Sequence, residues 1–431
     1  MSCFLGLTMS LIKRWFIHGW NWLGACGCSA SIFGRSVFTV VFVSLFAWYF
    51  LYHALHDWQH TYARFQVPAM TYPGGDSRNI QMASHCMRLG HEGGGLAECV
   101  KAGSIVRTAH PEASVPVYNY PPIWAHGYTL LLQEGEEAFM TFWRWNALML
   151  VTAIVVLCWH YALWSLPFLL LSPVTLLTIE RGNIDGATFA VAAMAVFYTR
   201  AHFWLPAGGL ALATVMKVYP VFGLLAVLGA AKSTGRWSAA IWGVAGFIPL
   251  ILWTAINMAE YVSGTSTGFP FSYGLLAITH APAFPQGSGA GWLGWIAGLA
   301  LIATVVAALQ SQRGLVSDLD ARLRRMPAQD VLLLAMSLMV FVGTFLVFTN
   351  WAYRLIFLFP ALLIALRQGG FVFLFFFLNA MAVLLVPWLP PRGWEAQTIL
   401  CYPLAAAAIF LLLRIMVAMY GTARVKRCPD R

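Results

Sequence analysis

The amino-acid sequence predicts an all-α polytopic membrane protein with about 10–13 transmembrane helices and a large first extracytoplasmic loop that carries short amphipathic helices. Three properties support this fold class: 60% of the 431 residues are hydrophobic, 10% are charged, and the mean hydropathy is +0.72. An average soluble chain has about 45–50% apolar and about 25% charged residues. The composition therefore excludes both a water-soluble globule and a disordered chain.

Twelve apolar stretches between polar residues are candidate spans, because about 20 apolar residues cross the hydrocarbon core and shorter runs suffice where helices are broken. They are Val37–Ala54, Asn146–Trp164, Leu166–Thr178, Ile184–Thr199, Phe203–Met216, Val218–Ala231, Trp237–Asn257, Trp292–Gln310, Val331–Phe348, Tyr353–Leu366, Phe371–Leu389 and Ile399–Val417. This division predicts a first transmembrane helix at 37–54, a loop at 55–142 and a multi-span domain at 143–420.

The distribution of Lys and Arg predicts the orientation of these spans. Lys13, Arg14 and Arg35 suggest a cytoplasmic N-terminus. Alternation of the spans then places on the inner side Arg200, Lys232, Arg236, the loop 311–329, Arg367 and the tail 421–431. The short outer connections carry fewer basic residues, among them Arg181, Lys217 and Arg354, which fits the positive-inside pattern. The net charge of +10 is thus a topology signal, and no nucleic-acid partner is expected. We expect a multi-pass protein of the inner (plasma) membrane with both termini cytoplasmic.

Residues 1–36 are interpreted as a cytoplasmic or interfacial segment. They hold aromatic and small residues without a clear cleavage site, and the apolar run that follows is long enough to remain as a helix. A cleaved signal peptide is therefore not expected.

Polar residues of the apolar part cluster on one predicted side of the membrane. The outer connections contain Glu180-Arg181-Gly182-Asn183-Ile184-Asp185, Lys217-Val218-Tyr219-Pro220 and Asn350-Trp351-Ala352-Tyr353-Arg354. An ionisable residue in such surroundings costs about 2.5–3.5 kcal/mol on insertion scales, so it usually faces a cavity or another charge. The three groups and the first loop predict one common site, although each charge alone could equally lie at the headgroups.

The first loop is too long for a passive connection, since loops beyond about 12–15 residues are usually functional or disordered. Asp76 follows a Tyr-Pro-Gly-Gly turn and opens a predicted short helix at Ser77–Leu89, where its structural role would be that of an N-cap. Cys86 and Cys99 are the two cysteines of this loop, and outside the reducing cytosol they are candidates for a disulfide.

These motifs resemble those of the polyprenol-phosphate-dependent glycosyltransferases of the C superfamily, in particular the family 87 mannosyltransferases. The similarity rests on Gly75-Asp76-Ser77-Arg78-Asn79-Ile80, on Asn119-Tyr120-Pro121-Pro122, on the three outer groups above and on their order between about residues 70 and 365. The resemblance implies a multi-span helical fold with a large first outer loop. It also implies transfer of a sugar from a lipid-phosphate donor, with the acidic residue of the first loop, here Asp76, as catalytic base.

The resemblance and the chemistry together give roles to the candidate residues. Asp76 would take the proton from the acceptor hydroxyl, with inversion at the sugar carbon. Arg354 and Lys217 would bind the donor phosphate, because Arg grips it with two donors and Lys acts as a point charge. The remaining candidates for substrate binding are Arg78, Tyr120, Glu180, Asn183, Asp185, Asn350 and Tyr353.

The expected partners are a polyprenyl-phosphate-linked sugar, with mannose or another hexose, and a glycolipid, glycan or other hydroxyl acceptor, within membrane lipids. No cofactor is expected, and a metal requirement stays open. The first loop lacks an Asp-x-Asp pair, so a metal site of the oligosaccharyltransferase kind is not expected; Asp318-Leu319-Asp320 lies in the basic inner loop beside arginines.

Two other classes remain open at this point. A secondary transporter would also combine about twelve spans with buried charges, although transport sites usually lie near the midplane between repeated halves. A polysaccharide polymerase or ligase would share the lipid-linked donor and the large outer loop, and the sequence separates it poorly from a glycosyltransferase.

Overall fold

The computed structural model describes residues 32–70, 74–91, 96, 98–100, 120–132, 135–199, 202–262, 272–275, 290–347, 350–389 and 392–425, which are almost entirely helical. The N-terminal 31 residues, the residues before Tyr120 in the aromatic segment and the last six residues of the tail lie outside this description.

The first half of the chain contains two long apolar helices and shorter helices between and after them. In chain order these are α1 Ile32–Leu51, a 3-10 turn at His53–His56, α2 Trp58–Arg64, α3 Gly75–Arg88, α4 Pro122–Leu131, α5 Glu136–Tyr161, a 3-10 turn at Leu163–Ser165, α6 Leu166–Leu170, α7 Pro173–Arg181, α8 Asp185–Phe197, α9 Trp204–Met216 and α10 Val221–Ser233.

The second half completes the helical body around one very short strand pair. Its elements are α11 Trp237–Ala245, α12 Ile248–Val262, β1 Ser272–Tyr273, α13 Ala290–Ser311, α14 Arg313–Arg325, α15 Ala328–Val347, β2 Asn350–Trp351, a 3-10 segment at Ala352–Leu358, α16 Phe359–Gln368, α17 Phe371–Leu385, a 3-10 turn at Val386–Trp388 and α18 Gly393–Val425. The strands β1 and β2 are antiparallel, with Ser272 opposite Trp351 and Tyr273 opposite Asn350.

Several helices are long and apolar enough to cross a membrane. Among the described residues there are five such helices, or up to eight when each of three bent pairs counts as one span, and three more apolar helices, α8, α9 and α10, are shorter. Each of the twelve predicted stretches overlaps helix, so the predicted helical polytopic class is confirmed at this coarser level. Whether the shorter helices cross, and hence the number of 10–13, stays a prediction.

The helices form one body with α15 at its centre. In the most apolar 18 residues of α15, 72% of the residues are buried inside the protein. The corresponding share for α1 is 11%, so α1 lies at the periphery. Helix α15 packs against α10, α16 and α18, and α8 packs against both α5 and α9. Large side chains such as Phe189, Phe341 and Phe357 fill the centre.

The two ends of this body differ in chemistry. Helix α5 starts beside α3, where Glu136 binds Arg78, and its far end carries Tyr161, whose hydroxyl donates to Asp330 Oδ1 at 2.7 Å. At a rise of about 1.5 Å per residue these two ends lie nearly 40 Å apart. Asp330 lies in the first turn of α15, and Arg367 lies in the last turn of α16 with its guanidinium 5.8 Å from the Tyr161 ring centre.

Three predicted boundaries need correction. Helix α1 already includes Ile32, five residues before the predicted 37, and it ends at Leu51, three residues before the predicted 54. The last seven residues of the predicted loop 55–142 are helical, since α5 starts at Glu136. Two glutamates in its first turn stabilise this start through the helix dipole. The predicted basic loop 311–329 is largely the helix α14.

Candidate functional site

A tight turn between α7 and α8 presents the residues of the Glu180–Asp185 motif. Helix α7 ends at Arg181, and Gly182 follows at a φ of +60°. The Gly182 N–H donates to the carbonyl of Ile179 at 3.0 Å and the Asn183 N–H to that of Thr178 at 3.1 Å, the pattern of a Schellman motif. Glycine adopts this left-handed conformation without the Cβ penalty, and Asp185 then opens α8.

Asp76 lies at the second position of α3 and contacts this turn. The left-handed Gly74, at a φ of +67°, caps α3, and no side chain caps the helix, so the N-cap role considered for Asp76 is wrong. Its Oδ2 instead accepts a hydrogen bond of 2.6 Å from Nδ2 of Asn183. Burial raises the pKa of the Asp76 carboxyl, while Arg181, Asn183 and Lys217 act in the opposite direction.

Tyr120 connects Asn183 to Lys217. The Asn183 amide Nδ2 lies 3.2 Å from the Tyr120 hydroxyl. The ammonium of Lys217 makes a cation–π contact with the Tyr120 ring, 4.3 Å from its centre. Lys217 is extended, with a φ of −151°, at the end of α9. The indole of Trp124 on α4 donates to the carbonyl of Met216 at 2.8 Å, which holds α4 against this end of α9.

A fully buried carboxylate joins the two predicted phosphate-binding cations. Asp185 Oδ1 lies 3.4 Å from Lys217 Nζ, and Asp185 Oδ2 lies 3.4 Å from Arg354 Nε. The Asp185 side chain is 0% exposed, against 7% for Lys217 and 15% for Arg354. Arg354 also stacks on the Tyr219 ring, with 4.9 Å from its guanidinium carbon to the ring centre.

Tyr353 is buried next to Arg354, and its backbone carbonyl accepts a hydrogen bond from the Thr178 hydroxyl of α7 at 3.5 Å. Asn350 lies in β2 opposite Tyr273, and its side chain is outside the described part of the structure. Six of the candidate residues thus lie together, Asp76, Tyr120, Asn183, Asp185, Lys217 and Arg354, with Tyr353 buried next to Arg354.

Glu180 lies behind this cluster. Its side chain is 0% exposed, and Oε1 accepts from the backbone N–H of Met70 at 2.6 Å and from the Trp58 indole at 3.4 Å. Oε2 lies 3.1 Å from Arg181 Nε, and the backbone carbonyl of Glu180 accepts from the Gly74 N–H at 2.8 Å. These contacts favour an anchoring role, in which Glu180 ties the connection after α2 to α7, over the expected contact with substrate.

Arg78 is engaged in holding α3 against α5. Its two terminal nitrogens donate to the two carboxylate oxygens of Glu136 at 3.0 and 2.7 Å, and its guanidinium lies 4.1 Å from the Phe139 ring centre. Gln81 adds a bond of 3.0 Å to the carbonyl of Gly135. A substrate contact of Arg78, as expected from the sequence, would therefore have to replace its bidentate ion pair with Glu136.

Three positioning residues were not anticipated from sequence. The Ser77 hydroxyl donates to the carbonyl of Gly182, and Asn146 reaches the same carbonyl with Nδ2 at 3.4 Å. Asn146 Oδ1 accepts from the Ala187 N–H at 3.1 Å, and the Trp143 indole donates to the carbonyl of Ile179 at 2.8 Å. Asn146 enters the sequence-based prediction only as the first residue of a predicted span. Its polar amide at the edge of an apolar stretch was the signal that could have indicated a structural hydrogen bond.

Cys86 and Cys99 are joined by a disulfide with their Cα atoms 6.0 Å apart. Cys86 is buried on α3, in a small core with Ile80 and Ala83. The bond closes a loop of 13 residues and attaches the chain beyond α3 to the helix that carries Asp76.

The site can combine proton transfer with anion binding. A carboxylate with a raised pKa, Asp76, is connected through Asn183 and Tyr120 to two cations that share one buried carboxylate. Within the described residues no group of three or more His, Cys, Asp or Glu side chains is placed to hold a metal ion. The whole cluster lies where α7, α9 and α15 end and α8 begins, which is one end of the helical body.

Fold and site together define a helical membrane protein with a mixed carboxylate and cation site at one end of its bundle. Comparisons of the chain with family models, with curated proteins and with solved structures find no match. The function must therefore be argued from the geometry and chemistry of the site.

Proposed function

We propose that this protein is an integral membrane glycosyltransferase that moves a sugar from a polyprenyl-phosphate donor to a hydroxyl acceptor, with inversion at the anomeric carbon. The sugar is mannose or another hexose, and the acceptor is a glycolipid, a glycan or another hydroxyl compound. The observation that carries the proposal is the continuous set of contacts from Asp76 through Asn183 and Tyr120 to Lys217, which brings a base next to a cation pair.

The reaction needs a base on one side of the sugar and a positive charge on the other. The acceptor oxygen forms a bond to the anomeric carbon while its proton passes to the Asp76 carboxylate. The bond between the anomeric carbon and the phosphate oxygen breaks, and the lipid phosphate leaves with the electron pair. A carboxylate with a raised pKa is a stronger base than an exposed one, which suits Asp76 to this step.

Lys217 and Arg354 supply the positive charge for the leaving phosphate. Both lie 3.4 Å from Asp185, so a single buried carboxylate holds two cations in place. Charges fixed in advance stabilise a developing anion without the cost of reorganisation. In this proposal Asp185 is a positioning residue for the cations, and Asn183 and Tyr120 contact the sugar or the base.

The site faces the extracytoplasmic side in this proposal, and the helices between α1 and α5 belong to the large outer loop. Exposed basic residues collect at the opposite end of the body: Lys232 closes α10, Arg236 precedes α11, and Arg324 and Arg325 end α14. Cytoplasmic connections carry the excess of Lys and Arg. This distribution supports an outward-facing Asp76.

The location of the charges also argues against the transporter alternative. A transport site usually lies near the bilayer midplane. Here the cluster includes Asp76 of α3 and Tyr120, which precedes α4; both lie in the predicted outer loop 55–142 and outside every predicted span, so the site is expected toward the membrane surface. A polymerase or ligase shares the donor chemistry and is distinguished by the size of the group transferred.

The test is transfer of radiolabelled mannose from polyprenyl-phosphate mannose by the purified protein in proteoliposomes. Asp76→Asn is expected to lower kcat by about 100- to 10,000-fold, the usual contribution of a general base. Asp57→Asn is the matched control, because Asp57 is an exposed carboxylate of the same connection and bonds only the nearby His60 in the described structure, at 2.7 Å.

Full activity of Asp76→Asn would refute the base assignment. Counterflow of a free solute across the liposome membrane without sugar transfer would replace the proposal by a transporter. Transfer of a whole glycan from a lipid-linked donor, and not of a single sugar, would identify a polymerase or ligase.

A further inference from the structure

Helix α14 crosses the basic end of the body. It leaves the preceding apolar helix at an angle of 85° after a one-residue break. If α13 crosses the membrane, this angle directs α14 along the membrane surface. Leu319 and Leu323 are buried against the body, so one face of α14 is apolar and fixed and the opposite face is exposed.

The acidic residues of α14 are used within the protein. Asp318 Oδ2 lies 2.9 Å from Nε of Arg322, and Asp320 Oδ1 accepts from Arg414 Nε at 2.9 Å. Arg322 also donates to the carbonyl of Gln368 at 2.9 Å, which fastens α14 to the end of α16. The two carboxylates are therefore committed to holding α14 in place.

Three arginines of α14 remain exposed: Arg313, Arg324 and Arg325. None of them forms an ion pair with any residue in the described ranges. Arg313 and Arg324 are 11 residues apart, which is three turns plus about 20° at 100° per residue, so they lie on one edge of the helix about 16 Å apart. Arg325 extends the positive surface around the C-terminal turn.

We propose that this exposed edge of α14 binds the headgroups of anionic phospholipids, with Arg313 and Arg324 as the principal contacts. Arginine recognises phosphate through two parallel N–H donors. An amphipathic helix with a basic polar face at the membrane surface favours a lipid surface over a soluble partner. Exposed Lys232, Arg236 and Arg367 at the same end add positive charge to this surface.

The experiment measures binding of fluorescently labelled phosphatidylglycerol and phosphatidylcholine to the purified protein in neutral detergent micelles. Wild type is expected to prefer phosphatidylglycerol. Each Lys or Arg at an anionic surface contributes about fivefold in affinity, so the double variant Arg313→Gln/Arg324→Gln should lose about 25-fold in affinity for phosphatidylglycerol and little for phosphatidylcholine.

A matched control removes two exposed arginines from the other end of the body. Arg64 lies in the last turn of α2, and Arg392 is 81% exposed beside Glu395. The variant Arg64→Gln/Arg392→Gln carries the same change of charge and should bind phosphatidylglycerol as wild type does. Thermal unfolding in the neutral micelle checks that both double variants are folded.

Unchanged phosphatidylglycerol affinity in Arg313→Gln/Arg324→Gln would overturn the proposal. An equal loss in the control variant would do the same, because net charge and not α14 would then set the affinity. The preference of wild type should also disappear at about 0.5 M salt, where exposed charges are screened. A preference that survives that salt concentration would contradict binding through exposed arginines.

Discussion

Asn183 donates a hydrogen bond of 2.6 Å to the carboxylate of Asp76, a residue 107 positions earlier in the chain. The same amide nitrogen lies 3.2 Å from the Tyr120 hydroxyl, and the side-chain oxygen Oδ1 of Asn183 accepts from the backbone N–H of Asp185 at 3.0 Å. The Asn183 side chain therefore connects the proposed base Asp76 with Tyr120 and with the backbone of Asp185, the residue whose carboxylate holds the two cations. The position and the acidity of Asp76 depend on it.

Replacement of Asp76 by Asn should stabilise the protein at neutral pH. Burial raises the pKa of Asp76, so the folded state binds this proton more tightly than the unfolded state does. The stability contributed by the group is fully present below the unfolded pKa and is lost as the pH rises through the folded pKa. Thermal unfolding at pH 7 should therefore occur at a higher temperature in Asp76→Asn, with the difference fading near about pH 4. Asp57→Asn should match wild type at both values, and a lower melting temperature for Asp76→Asn at pH 7 would contradict the prediction.

Removal of the Asn183 amide should move the pH dependence of transfer. A hydrogen bond to a charged group contributes about 1.5–3 kcal/mol and favours the ionised carboxylate. In Asn183→Ala the pKa of Asp76 rises further, so the acidic limb of kcat/KM should shift to higher pH and the rate at acidic pH should fall by about tenfold. Asn379→Ala removes an amide that bonds the carbonyl of Phe375 on α17 and serves as the control. A uniform loss of rate at every pH would assign Asn183 a purely structural role.

The Lys217–Asp185 pair should show strong coupling in a double-mutant cycle. Breaking a buried ion pair costs about 3–5 kcal/mol because it leaves an uncompensated charge. Asp185→Asn should be the more destabilising single change, since it leaves both Lys217 and Arg354 without the shared carboxylate. Combining it with Lys217→Met should cost less than the sum, with a coupling of about 1–3 kcal/mol in denaturant unfolding.

The exposed Arg392–Glu395 pair, with 3.9 Å between Nε and Oε2, is the control cycle and should couple far more weakly. Strictly additive effects of Asp185→Asn and Lys217→Met would mean that the two charges do not depend on each other.

A side chain at position 182 should disrupt both stability and transfer. A Cβ there would lie 2.8 Å from Ser77 Oγ, 2.8 Å from Trp143 Cδ1 and 2.9 Å from Gly74 Cα, on a residue with a φ of +60°. The left-handed conformation alone costs about 1–2 kcal/mol for a residue with a side chain. We expect Gly182→Ala to lower stability by at least about 2 kcal/mol and to lower kcat with it, because α3 must move away.

Gly127→Ala on α4 has no heavy atom within 4 Å of the new Cβ and should be neutral or slightly stabilising. Equal stability of Gly182→Ala and Gly127→Ala would show that the turn after α7 is looser than the contacts of Gly182 imply.

Reduction should weaken the protein through the Cys86–Cys99 bond. A crosslink that closes a loop of this size contributes about 3 kcal/mol in the chain-entropy model. Reductant should therefore lower the melting temperature of wild type but not that of Cys86→Ser/Cys99→Ser. Cys158 and Cys401 are free and buried, so they provide no second reducible bond among the described residues. A melting temperature independent of reductant in wild type would contradict this prediction.

Hydropathy was sufficient to predict the apolar helices of the body, but it did not predict the polar helix α14. Each predicted apolar stretch overlaps helix because burial of apolar surface decides these segments locally. Helix α14 was predicted as a loop because its mean composition is polar. Its apolar residues Leu315, Leu319 and Leu323 recur every four positions, a periodic signal that a search for continuous apolar runs does not detect.

Site residues were predictable as a group, but their individual partners were not. The cost of isolated charges in apolar surroundings predicted that Asp76, Lys217 and Arg354 would converge. No local rule indicates that Arg78 binds Glu136, 58 residues away, or that Glu180 accepts from the Met70 N–H, 110 residues away. Such pairings depend on how α3 and α5 pack, which is a property of the tertiary structure.

The turn after α7 is fastened on several sides, by Gly74 at the Glu180 carbonyl and by Ser77 and Asn146 at the Gly182 carbonyl. A turn held by bonds from several elements is rigid and is a poor hinge. The substrates of the proposed reaction would therefore enter the site from a side other than this turn, and their residence time would not depend on an opening movement of the turn.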